Sequence, residues 1–221
     1  MTFPFRAVLF DLDGTLIDSA SGIAEAVNRT LQALGHARAD EATVRSWIGD
    51  GARLLLQRAL AHAGASVGDG EAFDAIYVQL MHHYGDSLPL QARAYPGAAE
   101  TMRALRGVGV KVALCTNKPE RFIAPLLDAL DWHGMFDAII GGDTLAERKP
   151  DPEPLLHIVR GFGLDVHECL MVGDSHTDAD AAHAAGMPLA LVDYGYRRGY
   201  DLHGAGARHV VGDLRLLLQT P

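Results

Sequence analysis

A short apolar run, Ala7-Val8-Leu9-Phe10, stops abruptly at Asp11-Leu12-Asp13-Gly14-Thr15-Leu16. No other stretch limits the possible folds so strongly. The apolar part reads as a buried strand, and in open α/β sheets the carboxyl ends of strands carry the ligand sites. Alternation along a strand turns Asp11 and Asp13 to one side and Leu12 to the other. Gly14 admits a turn that other residues resist. Two carboxylates held side by side repel, and Mg²⁺, which joins carboxylates to a substrate phosphate, is the cation expected to hold them. Asp-x-Asp alone is equally a strand-end turn. The whole run in its strand-to-turn setting points to a site.

The remainder of the chain alternates in a way that fits this start. After Ser19, the spacing of Ile23, Val27, Leu31 and Leu34 predicts a helix that stops at Gly35, with Asp18 and Ser19 as its caps. Further helices are expected over about Glu41 to Ile48, around Leu55 to Gly64, and from Phe73 to a stop near Gly85. Residues 19–87 thus form an all-helical insertion. From Tyr95 onward, apolar runs at Val110–Cys115, Phe136–Ile140, Cys169–Val172 and Leu189–Val192 alternate with helical patterns, and Pro125 should kink or restart one helix. Alternating strands and helices imply a Rossmann-like parallel sheet with helices on both faces. The fold class is therefore α/β, with residues 1–18 and 88–221 as the core domain and 19–87 as an inserted helical cap domain.

Composition narrows the function. The 221 residues suffice for a core without disulfides, and Cys115 and Cys169 both lie in apolar runs that read as buried thiols of a reducing compartment. A formal charge of −9 argues against nucleic acid as a partner. Neither a signal peptide nor a membrane span is evident, so a cytoplasmic location is expected. The oligomeric state is not legible.

Four predicted strand ends carry polar clusters: Asp11 and Asp13, then Thr116-Asn117-Lys118-Pro119, then Lys149-Pro150, then Gly173-Asp174-Ser175-His176-Thr177-Asp178. Each alone has an ordinary explanation as a turn, a helix cap or a solvated charge. Together they suit a phosphoryl group on a metal. A carboxylate such as Asp11 needs no separate base to attack phosphorus. Two anions that approach each other need neutralising charge, from Mg²⁺ and Lys149. Thr116 offers its hydroxyl to a phosphoryl oxygen, the Asn117 amide offers a donor or helps orient the nucleophile, and Asp174 offers a further anionic oxygen to the metal. Asp178, one helical turn on, either reaches the metal through water or orients Lys149, with Ser175 beside it. Among eleven histidines only His176 falls inside a cluster.

In order these clusters resemble the four motifs of the haloacid dehalogenase (HAD) superfamily of phosphatases. The resemblance implies that Asp11 is a nucleophile forming an aspartyl-phosphate. It implies that Asp13 is general acid and then base, with its carbonyl on the metal. Thr116 and Lys149 would bind the phosphoryl group and Asp174 would complete a Mg²⁺ site made with Asp11 and Asp13. The helical insertion resembles a substrate-covering cap. The stretches Ile48-Gly49-Asp50-Gly51-Ala52-Arg53, Tyr95-Pro96-Gly97 and Asp193-Tyr194-Gly195-Tyr196 are similar to those of superfamily members acting on 2-phosphoglycolate. That ester is the expected substrate. A phosphatase of another small metabolite, a β-phosphoglucomutase-like mutase and an idle phosphate-binding module are the alternatives. A carboxylate on the leaving group calls for an arginine in the cap. Arg53, near a helix start, is the candidate and Arg45 the reserve.

Overall fold

The computed structural model describes residues 3–65, 68, 70–88 and 93–219. Strand β1 (Ala7–Phe10) lies at the centre of a six-stranded parallel sheet and is buried along its whole length. It pairs with β4 (Lys111–Cys115) on one side and β6 (Cys169–Gly173) on the other, with Phe10 level with Leu114 and Val172. β5 (Ala138–Ile140) extends the first side, and β7 (Leu189–Val192) and β8 (His209–Val211) extend the second. The order is β5-β4-β1-β6-β7-β8. The chain builds outward in both directions from β1, so the crevice at its carboxyl end is a switch point of the kind that binds ligands.

Alternation divides the sheet between two cores. Val8, Phe10, Val112, Leu114, Leu170 and Val172 face α5 (Ala98–Gly107) and α6 (Ile123–Ala129). Ala7, Leu9, Ala113, Cys115 and Met171 face α7 (Glu153–Phe162) and α8 (His176–Ala185). A Leu or Phe fully removed from water contributes about 1.5–3 kcal/mol, and Leu9 and Phe10 both are. Both cysteines are free and buried.

The inserted helices form a third core. α1 (Ala20–Ala33), α2 (Glu41–Arg45), α3 (Ala52–His62) and α4 (Glu71–Ser87) pack Ile23, Val27, Leu31, Leu56, Phe73 and Leu80 together. Two short strands, β2 (Ile17–Asp18) and β3 (Arg93–Ala94), pair antiparallel where the chain enters and leaves this unit. No helix among the described residues is long and apolar enough to cross a membrane.

Several expected boundaries move for physical reasons. α4 continues through Gly85, where a Cβ would lie 3.3 Å from Phe122 Cε1. The glycine makes room for the Tyr84–Phe122 ring contact, with centroids 4.8 Å apart, and does not stop the helix. α2 is shorter than expected and is capped by Asp40, which accepts from the Thr43 N–H at 2.8 Å. Pro125 falls in the first turn of α6, after a 3₁₀ turn at Glu120–Phe122. A missing N–H costs nothing there.

Candidate active site

Asp11 follows β1 directly, and its own N–H donates to Val172 O at 2.9 Å, which extends the β1–β6 pairing by one residue. Its carboxylate meets Lys149 Nζ at 3.0 Å. Lys149 is buried and also touches Asp178 Oδ1 at 2.6 Å. Asp178 is fixed in turn through Oδ2, which accepts from the N–H groups of Asp174 and Ser175 at 3.1 Å and from Ser175 Oγ at 2.7 Å. These contacts form the capping box that starts α8. Of the two roles open for Asp178, the geometry supplies the orienting one.

Asp174 follows β6 directly, beside this pair. Oδ1 accepts from Thr15 Oγ1 at 3.1 Å and Oδ2 from the Tyr196 N–H. Any side chain at Gly14 or Gly195 would overlap its carboxylate, and Gly14 also has φ 95°. Both glycines are thus required by the close approach of the backbone. Asp11, Asp174 and Asp178 each offer an oxygen within 4.8 Å of the others, and all three are buried. Burial pushes Asp11 up to about 6 although Lys149 pulls it down. Burial, with Asp178 and Asp11 as neighbours, holds Asp174 well above the ordinary carboxylate range. Burial works against the Lys149 charge, but Asp11 and Asp178 hold its ammonium above its usual value. Three buried acids around one lysine leave uncompensated charge, and their hard oxygen donors suit a divalent cation such as Mg²⁺.

Asp13 is turned to the other side of the cavity. Both its oxygens meet Lys118 Nζ, at 2.8 and 3.0 Å, and Oδ1 accepts from Ser19 Oγ. Its side chain lies outside the three-acid cluster. Ser19 therefore does not cap α1 with its hydroxyl as expected. Lys118 Nζ also donates to Tyr84 Oη at 2.8 Å, reaching across from the core to α4. Burial opposes the Lys118 charge, and Asp13 and Tyr84 overcome that cost and hold it above its usual value. The sequence reading gave Lys118 no role. The signal was its place beside Thr116 at the end of a buried strand.

Thr116 lines the cavity and accepts from the Lys118 N–H at 3.2 Å, which leaves its own hydroxyl proton free to donate. Asn117 departs from expectation. Its amide N–H groups go to Gly49 O at 3.1 Å and Lys149 O at 2.8 Å, so they tie two loops together and leave no side-chain donor for a phosphoryl group. Its Oδ1 is buried without a partner.

Arg53 is a correction. It is exposed, pairs with Asp74 at 2.7 Å and lies 5.0 Å over the rings of Phe73 and Tyr77, outside the cavity lining. Its helix starts at the cavity, but the second position of the helix faces outward. The reserve, Arg45, is held by Asp18 at 2.9 Å and stacks on Tyr196. Asp18, which shares Tyr196 Oη at 2.8 Å, is an anchor for the inserted helices and not just a cap. His176 lies beside Arg198, Nδ1 to NH2 at 3.0 Å, and beside Asp50, Nε2 to Oδ1 at 3.7 Å.

The cavity between these groups is lined by Asp11, Asp13, Thr116 and Lys118 from the core and by Ile48, Leu55 and Tyr84 from the inserted helices. The arrangement places one carboxylate beside a buried lysine and a second carboxylate across the cavity from it.

The match to known proteins runs along most of the chain. Residues 5–186 fit the model of the haloacid dehalogenase-like hydrolases. A phosphoglycolate phosphatase of Pseudomonas putida is 46% identical over 215 residues, spanning 96% of this chain and 78% of the relative. Phosphoglycolate phosphatase 1 of Pseudomonas aeruginosa is 44% identical over 214 residues, with the same coverage. A crystal structure of a predicted phosphoglycolate phosphatase from Haemophilus somnus superposes with a TM-score of 0.92 at 34% identity, covering 98% of this chain and 97% of the other. With this sheet order, these strand-end acids and this extent of match, the chain belongs to the haloacid dehalogenase-like hydrolases.

Proposed function

We propose that this enzyme is a Mg²⁺-dependent phosphatase of a small phosphate monoester, with 2-phosphoglycolate as its substrate and glycolate and phosphate as products. The observation that carries this reading is the divergence of two carboxylates from one strand end. Asp11 lies against the buried Lys149, and Asp13 lies across the same cavity against Lys118.

Asp11 attacks phosphorus, breaking the bond to the leaving oxygen and forming an aspartyl-phosphate. Lys149 and the Thr116 hydroxyl donate to the phosphoryl oxygens, where charge is concentrated. Asp178 keeps Lys149 aimed at that position. Asp13 gives a proton to the leaving oxygen and takes one from the water that then attacks the intermediate. Asp11, Asp174 and the Asp13 carbonyl would hold Mg²⁺, which would supply positive charge to the phosphoryl group. The inserted helices close the cavity against water.

The relatives named above carry the same substrate in their names. A panel of phosphate esters ranked by kcat/KM, with and without EDTA, tests the reading. It predicts 2-phosphoglycolate at the top and no turnover in EDTA. A sugar phosphate at the top would contradict it.

A further inference from the structure

We propose that Asn117 is a positioning residue that ties the placement of Lys149 to the docking of the inserted helices. The phosphoryl-binding lysine is then fully set only when the loop between α2 and α3 lies on the core. This deepens the function proposed above and rests on it.

Asn117 lies two residues beyond β4 and is buried. Its NH₂ group donates to two carbonyls of different origin. Lys149 O, at 2.8 Å, belongs to the core. Gly49 O, at 3.1 Å, belongs to the loop of the inserted helices. The two donors lie on one rigid amide plane, so a shift of either carbonyl turns that plane and strains the bond to the other. Oδ1 is buried without a partner. The reverse orientation would aim that oxygen at two carbonyl oxygens, so the donors alone decide how the amide lies. A buried acceptor left unpaired is costly, and the two donor bonds are kept in spite of it.

The backbone that carries this amide is anchored in the core. The Gly142 N–H donates to Lys118 O at 2.8 Å, and a Cβ on Gly142 would overlap Asn117 O. Of the two carbonyls that share the amide, only Gly49 O moves with the inserted helices. Their loop rests on the same residue through Gly51, where a Cβ would lie 3.7 Å from Asn117 O. Lys149 is held at both ends. Asp11 and Asp178, both of the core, meet Nζ at 3.0 and 2.6 Å, and Asn117 holds the main-chain oxygen. Among the described residues, Asn117 is the one side chain that hydrogen-bonds both Lys149 and the inserted helices. The far side of the loop is held separately, through Asp50, by Arg198 and Thr177.

The test reads binding of inorganic phosphate to the Mg²⁺-loaded protein by calorimetry, because that ion fills the phosphoryl position and needs no leaving group. Asn117→Ala and Asn117→Leu both remove the donors, and the second nearly keeps the volume. Each should weaken phosphate binding by roughly two- to ten-fold, the loss expected for a neutral hydrogen bond. Asp50→Asn loosens the loop from the core and should also weaken phosphate binding when Asn117 is intact. In either Asn117 variant the same Asp50→Asn change should add little, because the link from the loop to Lys149 is already cut. Far-UV circular dichroism and Tm check the fold, and a purely structural role would lower Tm without this non-additivity. Equal effects of Asp50→Asn with and without Asn117 would overturn the inference and leave the phosphatase reading standing. So would no effect of Asp50→Asn on the wild type, or a loss in Asn117→Ala that Asn117→Leu does not share. Failure of phosphate to bind the wild type would overturn the phosphatase reading itself, and the inference with it.

Discussion

Asp50 and Arg198 clasp the inserted helices to the core. Asp50 lies in the loop between α2 and α3, and Arg198 follows β7 by six residues. Both guanidinium NH₂ groups of Arg198 reach the Asp50 carboxylate, NH2 meeting Oδ1 at 2.9 Å. Thr177 Oγ1, on α8, donates to the same Oδ1 at 2.9 Å, and Arg58 adds a contact from within the helical unit. Burial works against the Asp50 charge, and the two arginines with Thr177 hold its carboxyl far below the usual range. A forked pair of this kind fixes orientation as well as charge.

Loosening the clasp should therefore slow the enzyme without changing its choice of substrate. Asp50→Asn keeps the shape and removes the charge. Charge-assisted contacts are worth about 1.5–3 kcal/mol, so kcat/KM should fall roughly ten- to a hundred-fold on every ester alike. Kinetics on two esters with different leaving groups check this. A changed ranking would place Asp50 in substrate contact.

Metal and pH should act together on stability. Without metal, burial raises Asp11 to about 6 and raises Asp174 as well. Between the ordinary value of 3.8 and about 6, the native state holds protons that the unfolded chain has released. Stability of the metal-free protein must then fall as pH rises through that window. His83, mostly exposed and shifted down, acts in the opposite sense through one surface group. The two buried acids outweigh it. Thermal melts in EDTA should give a higher Tm at about pH 5 than at about pH 7, and Mg²⁺ should raise Tm more at the higher pH. A Tm in EDTA that climbs from pH 5 to pH 7 would refute this.

Gly14→Ala tests the packing of backbone on Asp174. The new Cβ would overlap that carboxylate, and φ 95° is unfavourable for alanine. The conformation alone costs about 1–2 kcal/mol. The displaced carboxylate should also raise the Mg²⁺ concentration needed for half-maximal activity. A metal titration beside a denaturant melt separates the two effects, and an unchanged titration would remove Asp174 from the metal site.

The positions of the strand-end acids are legible because a buried strand ends at them, but strict alternation is not kept past Phe10: Asp11 turns to Lys149 and Asp13 to Lys118. Asp11, Lys149 and Asp178 meet as three separate strand ends predicted they would. Helix rotation is less legible: the approach of α3 to the cavity can be read from its glycines, but which residue of its first turn faces inward depends on packing against Phe73 and Tyr77. Arg53 was misplaced for that reason. The pairing of Lys118 is not legible, because a lone lysine at a turn is ordinarily solvated. Its burial depends on Tyr84, 34 residues distant, and on Asp13, 105 residues distant. The β2–β3 ribbon is only two residues deep on each side, too short for any periodicity.

Capture of phosphate on Asp11 tests the central claim most directly. Asp13→Ala should slow breakdown of the intermediate, by about a hundred- to ten-thousand-fold if Asp13 is the base. Acid quench of that variant during turnover of 2-phosphoglycolate, followed by peptide mass spectrometry, should find phosphate on the peptide that carries Asp11. The doubly substituted Asp11→Asn, Asp13→Ala chain should show none. A burst of glycolate with no phosphate on the chain, or phosphate on another residue, would contradict it.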